Sequence, residues 1–297
     1  MGMNPLILTH PKILRLLTKL QLFRQFSNLA DLLEEIQRIT EKKALLSFKI
    51  EIEQENFGNF PFVTFYDEFY PPLLREIYDP PLILFYKGNP EILLTRTYSV
   101  VGTRKPSPIS CLATKFLVQE WKYECQSICS GMALGIDRMA FLAAEEEGLS
   151  MIGVLGTSLS QEYPPQNKDL YRLLGKTKNS ILISETWRES YSKWTFPKRN
   201  RLISGISWKV ALMESSEKSG TLWTASSAVS QNREVFVFDH ELQNNNKGGR
   251  AFLEEGAIPL SWENLLSNKG KILSPNEIAI TTDIPIPLGR GYTWLAN

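Results

Sequence analysis

Six short apolar runs recur along this chain with room for a helix after each, and that rhythm restricts the fold more than any other feature. They are Tyr98–Val101, Ser127–Cys129, Met151–Leu155, Ser180–Ile183, Lys209–Met213 and Val235–Phe238. Each is shorter than an ordinary helix, and turn residues bracket the first of them closely. Strands alternating with helices predict a parallel sheet covered on both faces, and such sheets hold ligands beyond the carboxyl ends of their strands. Function is therefore to be sought in the residues just past each strand.

After the first strand comes Gly102-Thr103-Arg104, a turn residue, a hydroxyl and a cation. Ser107 then sits between Pro106 and Pro108 ahead of the helically spaced apolar residues of Cys111–Trp121, a natural helix start that leaves loop amides and the Arg104 guanidinium above the strand end. An anion suits that position, and so does an ordinary turn with a solvated arginine. The second exit, Ser130-Gly131-Met-Ala-Leu-Gly-Ile-Asp137, and the third, Gly156-Thr-Ser158, repeat the small and hydroxylated chemistry, and three agreeing turns favour the anion. Asp137 reads as a base or as an acid in a helix's first turn.

The richest exit is the fourth. Lys193-Trp194-Thr-Phe196-Pro-Lys198-Arg199-Asn200-Arg201 places four cations and two aromatic rings in nine residues without an acid. Cations hold phosphates while a ring stacks a base, the combination single-stranded nucleic acid needs. A solvated basic turn with Phe196 in the core is the competing account. Pro197 predicts a helix beginning at Lys198. Further on, Ser219-Gly-Thr221 opens another helix with small hydroxylated residues.

Composition bears on what lies outside these exits. Thirty-three basic residues against thirty-two acidic ones leave a net charge of +1, so a nucleic-acid role has to come from a local cluster. Three scattered cysteines form no disulfide framework, and Cys125 and Cys129 share the spacing of one helix face, as buried thiols or, less simply, as metal ligands. No apolar run is long enough for a membrane span and no leader is evident, which makes the cytoplasm the expected compartment and a membrane partner unexpected. Residues 10 to about 56 carry two amphipathic stripes, Ile13, Leu16, Leu17 and Leu20, then Leu29, Leu32, Leu33 and Ile36, which predict a small helical bundle, with Ser27-Asn28 and Thr40 as N-caps. The next segment, rich in proline and aromatics, predicts extended pieces leading to a strand at Leu82–Tyr86.

In order along the chain, Gly102-Thr-Arg104, Ser130-Gly-x-Ala-x-Gly-Ile-Asp137, Val154-Leu-Gly-Thr157, Phe196-Pro-x-Arg-Asn-Arg201 and Ser219-Gly-Thr-Leu-x-Thr-Ala225 resemble the motifs of the DprA/Smf family of DNA-processing proteins. The resemblance runs from about Phe65 to Leu260. It implies an α/β fold, an extended Rossmann-like parallel sheet with helices on both faces, that binds single-stranded DNA, forms a homodimer and loads RecA on incoming strands in naturally transformable bacteria. Carried over by position, Arg104, Ser130, Gly131, Lys193, Phe196, Arg199, Asn200 and Arg201 line the DNA pocket. The exits themselves add Gly102, Thr103, Gly156, Lys198 and Thr221. The helical N-terminus resembles the family's sterile-alpha-motif-like module, giving expected domains of 1–60, 61–262 and a short tail at 263–297 in place of a winged-helix domain. The chain departs from the family at Ile109-Ser110, where Tyr-Gly is common, at Phe141, where histidine is common, and at Lys247-Gly-Gly-Arg250, where Lys-Gly-Cys-Asn is common. The resemblance also places self-association at about Ser219–Glu255, where Leu222, Trp223, Val229, Phe252 and Leu253 are surplus to one helical face.

The chain is expected to act without catalytic turnover, cofactor or metal. The alternative is a nucleotide-binding hydrolase using Asp137 or Glu185 as base, against which stand two histidines outside any motif and the lack of a Walker lysine.

Overall fold

The computed structural model describes residues 3–54, 59–176, 178–187, 195–262 and 265. The expected tail at 263–297, Leu265 excepted, and Lys193 and Trp194 lie outside the described residues. The strands are β1 (Phe62–Thr64), β2 (Ile83–Gly88), β3 (Thr97–Val101), β4 (Ser127–Ser130), β5 (Ser150–Val154), β6 (Ser180–Ser184), β7 (Lys209–Leu212), β8 (Glu234–Phe238) and β9 (Ile258–Leu260). The helices are α1 (Pro11–Leu20), α2 (Leu29–Ile39), α3 (Lys42–Gln54), α4 (Pro72–Glu76), α5 (Pro108–Trp121), α6 (Ile136–Glu146), α7 (Lys168–Lys176), α8 (Thr195–Ile206), α9 (Thr221–Ser230) and α10 (Lys247–Glu254).

All nine strands join one sheet in the order β1-β2-β6-β5-β4-β3-β7-β8-β9. From β6 to β9 every pair is parallel, and β2 closes the other end antiparallel to both β1 and β6. The parallel part of the sheet starts in its middle, at β3. It winds outward through β4, β5 and β6, then crosses back to lay β7 on the other side of β3 and continue to β8 and β9. The connections after β3 and β7 thus run in opposite directions and part above the sheet, which opens a crevice there.

Strands β3, β4 and β6 are buried at every position because both faces of the sheet are covered there. Tyr98 and Val100 belong to the core that also contains Ile109, Leu117, Ala140 and Leu174 of α5, α6 and α7, whereas Val101, Val210 and Leu212 belong to the core with Leu74, Leu202, Ile203 and Ala225 of α4, α8 and α9. Side chains that alternate between faces along a strand account for the division.

The N-terminal helices contribute Ile7, Leu17, Leu32 and Ile36 to the first of these cores. Asn28 caps α2, its side-chain oxygen accepting from the Asp31 amide at 2.9 Å. The segment is fastened to the proline-rich lead-in by Arg24 donating to the Ile77 carbonyl at 2.6 Å and by the Tyr66 hydroxyl donating to the Phe23 carbonyl at 2.7 Å.

Four expectations need correction. Thr40 does not start a helix but ends one: it is the C-cap of α2, its amide donating to the Ile36 carbonyl at 3.1 Å, and α3 begins only at Lys42. The lead-in is not all extended, because Pro72 at the first helical position starts the five-residue α4; a missing N–H costs nothing there. Helix α8 includes Thr195 and Phe196, so it does not begin at Lys198; Pro197 is tolerated because the first amides of a helix have no acceptor within it. Cys125 and Cys129 share no helix, since Cys129 lies in β4 and Cys125 just before it. Both thiols and that of Cys111 are buried, and burial pushes each pKa up to about 12.

Candidate nucleic-acid interface

A cleft of about 410 Å³ occupies the crevice where β3 and β7 part. One wall is the loop Gly102–Lys105 after β3, and the opposite wall is the first turns of α8 and α9, with Ala133 and Asp137 at the back. Both helices begin at this end of the sheet, so the positive ends of their dipoles face the cleft, a setting that favours anions.

The loop after β3 is anchored on three sides. The Thr103 amide donates to the Glu214 carbonyl at 2.8 Å, the Ile136 amide donates to the Thr103 carbonyl at 3.2 Å, and the Thr221 hydroxyl donates to the Gly102 carbonyl at 3.0 Å. A side chain at 102 has no room, because a Cβ there would lie 2.5 Å from Cγ1 of Ile136. What the anchored loop presents to solvent is Arg104 and Lys105, both exposed and without an ion pair to any described residue.

Glu214, which directly follows Met213 at the end of β7, holds the same loop from beneath. It is 1% exposed, and one carboxylate oxygen accepts from the Ser107 amide at 2.8 Å and the Ser107 hydroxyl at 2.7 Å. Sequence reading missed Glu214 and Lys105. The signal for Glu214 was a lone acid immediately after an apolar strand at the ligand-bearing end of the sheet.

Opposite the loop, the Phe196 ring rests on Gly156, where a Cβ would lie 2.7 Å from Cδ1 of the ring, and it meets the Tyr163 ring at 5.5 Å between centroids. Phe196 is half-buried and lines the cleft. Asn200 reaches across to α9, its amide donating to the Gly220 carbonyl at 3.0 Å.

Beneath them lies a buried charge pair. The Arg199 guanidinium donates to the carbonyls of Gly131, at 2.7 Å, and of Val154, while the Asp137 carboxylate accepts from the amides of Gly131, at 3.1 Å, and Ala133, at 3.2 Å. Burial pushes the Asp137 pKa up and the Arg199 pKa down, and each charge partly offsets the shift of the other. Asp137 is thus engaged in fixing the loop after β4. Ser130 is engaged as well, its hydroxyl donating to the Val100 carbonyl at 2.6 Å.

Of the thirteen residues expected from sequence, Gly102, Thr103, Arg104, Phe196, Arg199, Asn200 and Thr221 come together around the cleft. Ser130, Gly131 and Gly156 form its support. Lys198 and Arg201 point to the other side of α8, where Arg201 pairs with Asp79 at 2.7 Å and Glu185 at 2.8 Å, and Lys198 stands 3.4 Å from Glu185. Lys193 lies outside the described residues. The two candidate bases, Asp137 and Glu185, are on opposite sides of α8. Among the described residues no group of three or more His, Cys, Asp and Glu could hold a metal ion.

Residues 61–269 match the sequence profile of the family described as DNA recombination-mediator protein A. The chain belongs to that family. Its DprA/Smf relatives include the DNA processing protein DprA of Streptococcus pneumoniae, 36% identical over 205 residues that make up 68% of this chain and 72% of the relative. DprA of Bacillus subtilis is 38% identical over 195 residues, 65% of each chain, so the match stops short of two thirds of that relative's length. The X-ray structure of the pneumococcal DprA superposes with a TM-score of 0.74 at 28% identity, covering 92% of this chain and all of that one. A structure of DNA processing protein A from Helicobacter pylori, concerned with its single-stranded DNA binding mode, gives 0.61 at 28% identity over 71% of this chain and 94% of that one. Both share the mixed α/β architecture described above.

Proposed function

We propose that this DprA/Smf protein binds single-stranded DNA in the cleft between β3 and β7, with Arg104 and Lys105 on phosphates and the Phe196 ring against a base. The observation that carries the reading is the placement of two cations, neither ion-paired among the described residues, across a cleft from a supported aromatic ring and above two helix N-termini. The Helicobacter pylori relative and its single-stranded DNA binding mode lend it weight. Gly102, Thr103, Asn200 and Thr221 shape the walls in this reading. Ser130, Gly131, Gly156 and Arg199 hold the floor, Lys198 and Arg201 border the site across α8, and Lys193 joins by position in the family motif.

The DNA leaves unchanged. The protein serves as a cytoplasmic recombination mediator that protects incoming strands and hands them to RecA in natural transformation. It works as a homodimer, and the surface suited to pairing includes Trp223 and Val229 of α9, 58% and 59% exposed. Two clefts in a symmetric pair turn the second contact with one strand into an intramolecular event, worth about 10²-fold or more in avidity.

Fluorescence anisotropy with labelled poly-dT, a blunt duplex and ATP, measured side by side, tests the reading. Poly-dT is expected to bind well ahead of duplex, and ATP weakly or not at all. Equal affinity for the duplex contradicts it, and tight ATP binding followed by hydrolysis favours the nucleotide hydrolase.

A further inference from the structure

Helix α8 separates the cleft from a second hollow. This groove, of about 810 Å³, runs between α1 on one side and, on the other, the exit of β6 at Glu185–Trp187 with the start of α8. Its floor is apolar, formed in part by Leu14, Pro80 and Pro81.

Charge in the groove is uneven. Four cations, Arg15, Lys19, Lys198 and Arg201, face two carboxylates, Asp79 and Glu185. The carboxylates are taken up by Arg201 and Lys198. Arg15 and Lys19, one turn apart on α1, are exposed and have no ion-pair partner among the described residues. Trp187 supplies an aromatic wall to the same groove. An apolar floor, an indole and two unmatched positive charges are complementary to a nucleic-acid strand, whose bases are flat and whose backbone is anionic.

The two hollows adjoin at the first turn of α8, where Phe196 and Pro197 line the cleft and Thr195 and Lys198 line the groove. A helix with its side chains is about 10–12 Å across, and nucleotides stacked at about 3.4 Å cover that span in about three or four. A strand seated in the cleft and longer by about that much therefore reaches the groove. Resting on the single-stranded DNA reading of the cleft, we propose that the groove is a second subsite for the same strand. Arg15 and Lys19 hold the phosphates of its flanking nucleotides, and the N-terminal helical segment is part of the binding surface.

The test is anisotropy on the full chain with oligo-dT of about four and about twelve nucleotides, within the span of sites seen for such strands, for the wild type and for the double variant Arg15→Ala, Lys19→Ala. On the longer strand the variant is expected to lose about three- to tenfold in affinity and about 1.4 units of salt slope, each of the two phosphate contacts on a single strand contributing about 0.7. On the shorter strand it is expected to match the wild type. The double variant Arg15→Lys, Lys19→Arg keeps both charges and should restore the longer strand. Unchanged binding of the longer strand overturns the inference while leaving the cleft intact, and so does an equal loss at both lengths. Failure of the wild type to bind either strand overturns the cleft reading and this inference together.

Discussion

Gly156 and Phe196 show how one side chain's position is set by the absence of another. The ring lies where a Cβ at 156 would fall 2.7 Å from it, so Gly156→Ala is expected to tilt or lift the ring rather than break the sheet. Affinity for oligo-dT should fall severalfold with little change in the thermal midpoint, read by anisotropy and a melt on the same sample. Glu214 acts differently, because it satisfies two donors of Ser107 inside the protein. Its replacement by Ala leaves a buried amide without an acceptor and is expected to cost about 1–3 kcal/mol in a denaturant titration. The thiols offer an independent check on the core. With Cys111, Cys125 and Cys129 buried and each pKa pushed up to about 12, almost no thiolate exists near pH 8. Ellman's reagent should therefore leave the native protein nearly untouched and titrate all three in guanidinium. Fast native reaction at any of them contradicts the packing.

The elements divide by whether local sequence or long-range packing decides them. Strands β3 to β8 were legible because buried parallel strands are written as short, mostly apolar runs, and the start of α5 was legible from Ser107-Pro108. The three-residue β1 and β9 carry too little sequence to announce themselves, and β9 exists because it pairs with Phe236–Phe238. The cluster of cations in Lys193–Arg201 was legible as composition but not as direction. Helical geometry sends Arg199 and Asn200 to one side of α8 and Lys198 and Arg201 to the other, where Asp79, 122 residues away from Arg201 in sequence, meets the guanidinium. Asn200 ties α8 to α9 across the cleft. Asn200→Ala removes that tie at a cost of about 1 kcal/mol and should loosen binding of oligo-dT more than it lowers the melting temperature.

At the scale of the whole molecule, the site arises from topology. Winding outward from β3 in both directions forces the loops after β3 and β7 apart, and the motifs that resemble the family's fall on the loops and helix starts around that gap. The motifs were readable along the chain, but their convergence depends on a strand order that no local pattern states. The central claim is that this gap holds DNA through charge on one wall and stacking on the other, and a salt titration of the wild type, Arg104→Ala and Phe196→Ala against oligo-dT addresses it directly. With about three to five phosphate contacts the wild type should show a slope of log affinity on log salt of about −2 to −4. Arg104→Ala should flatten it by somewhat less than one unit, and Phe196→Ala should cost about 1–3 kcal/mol of affinity with the slope unchanged. If both folded variants bind with wild-type affinity and slope, the DNA is held elsewhere and the account is wrong.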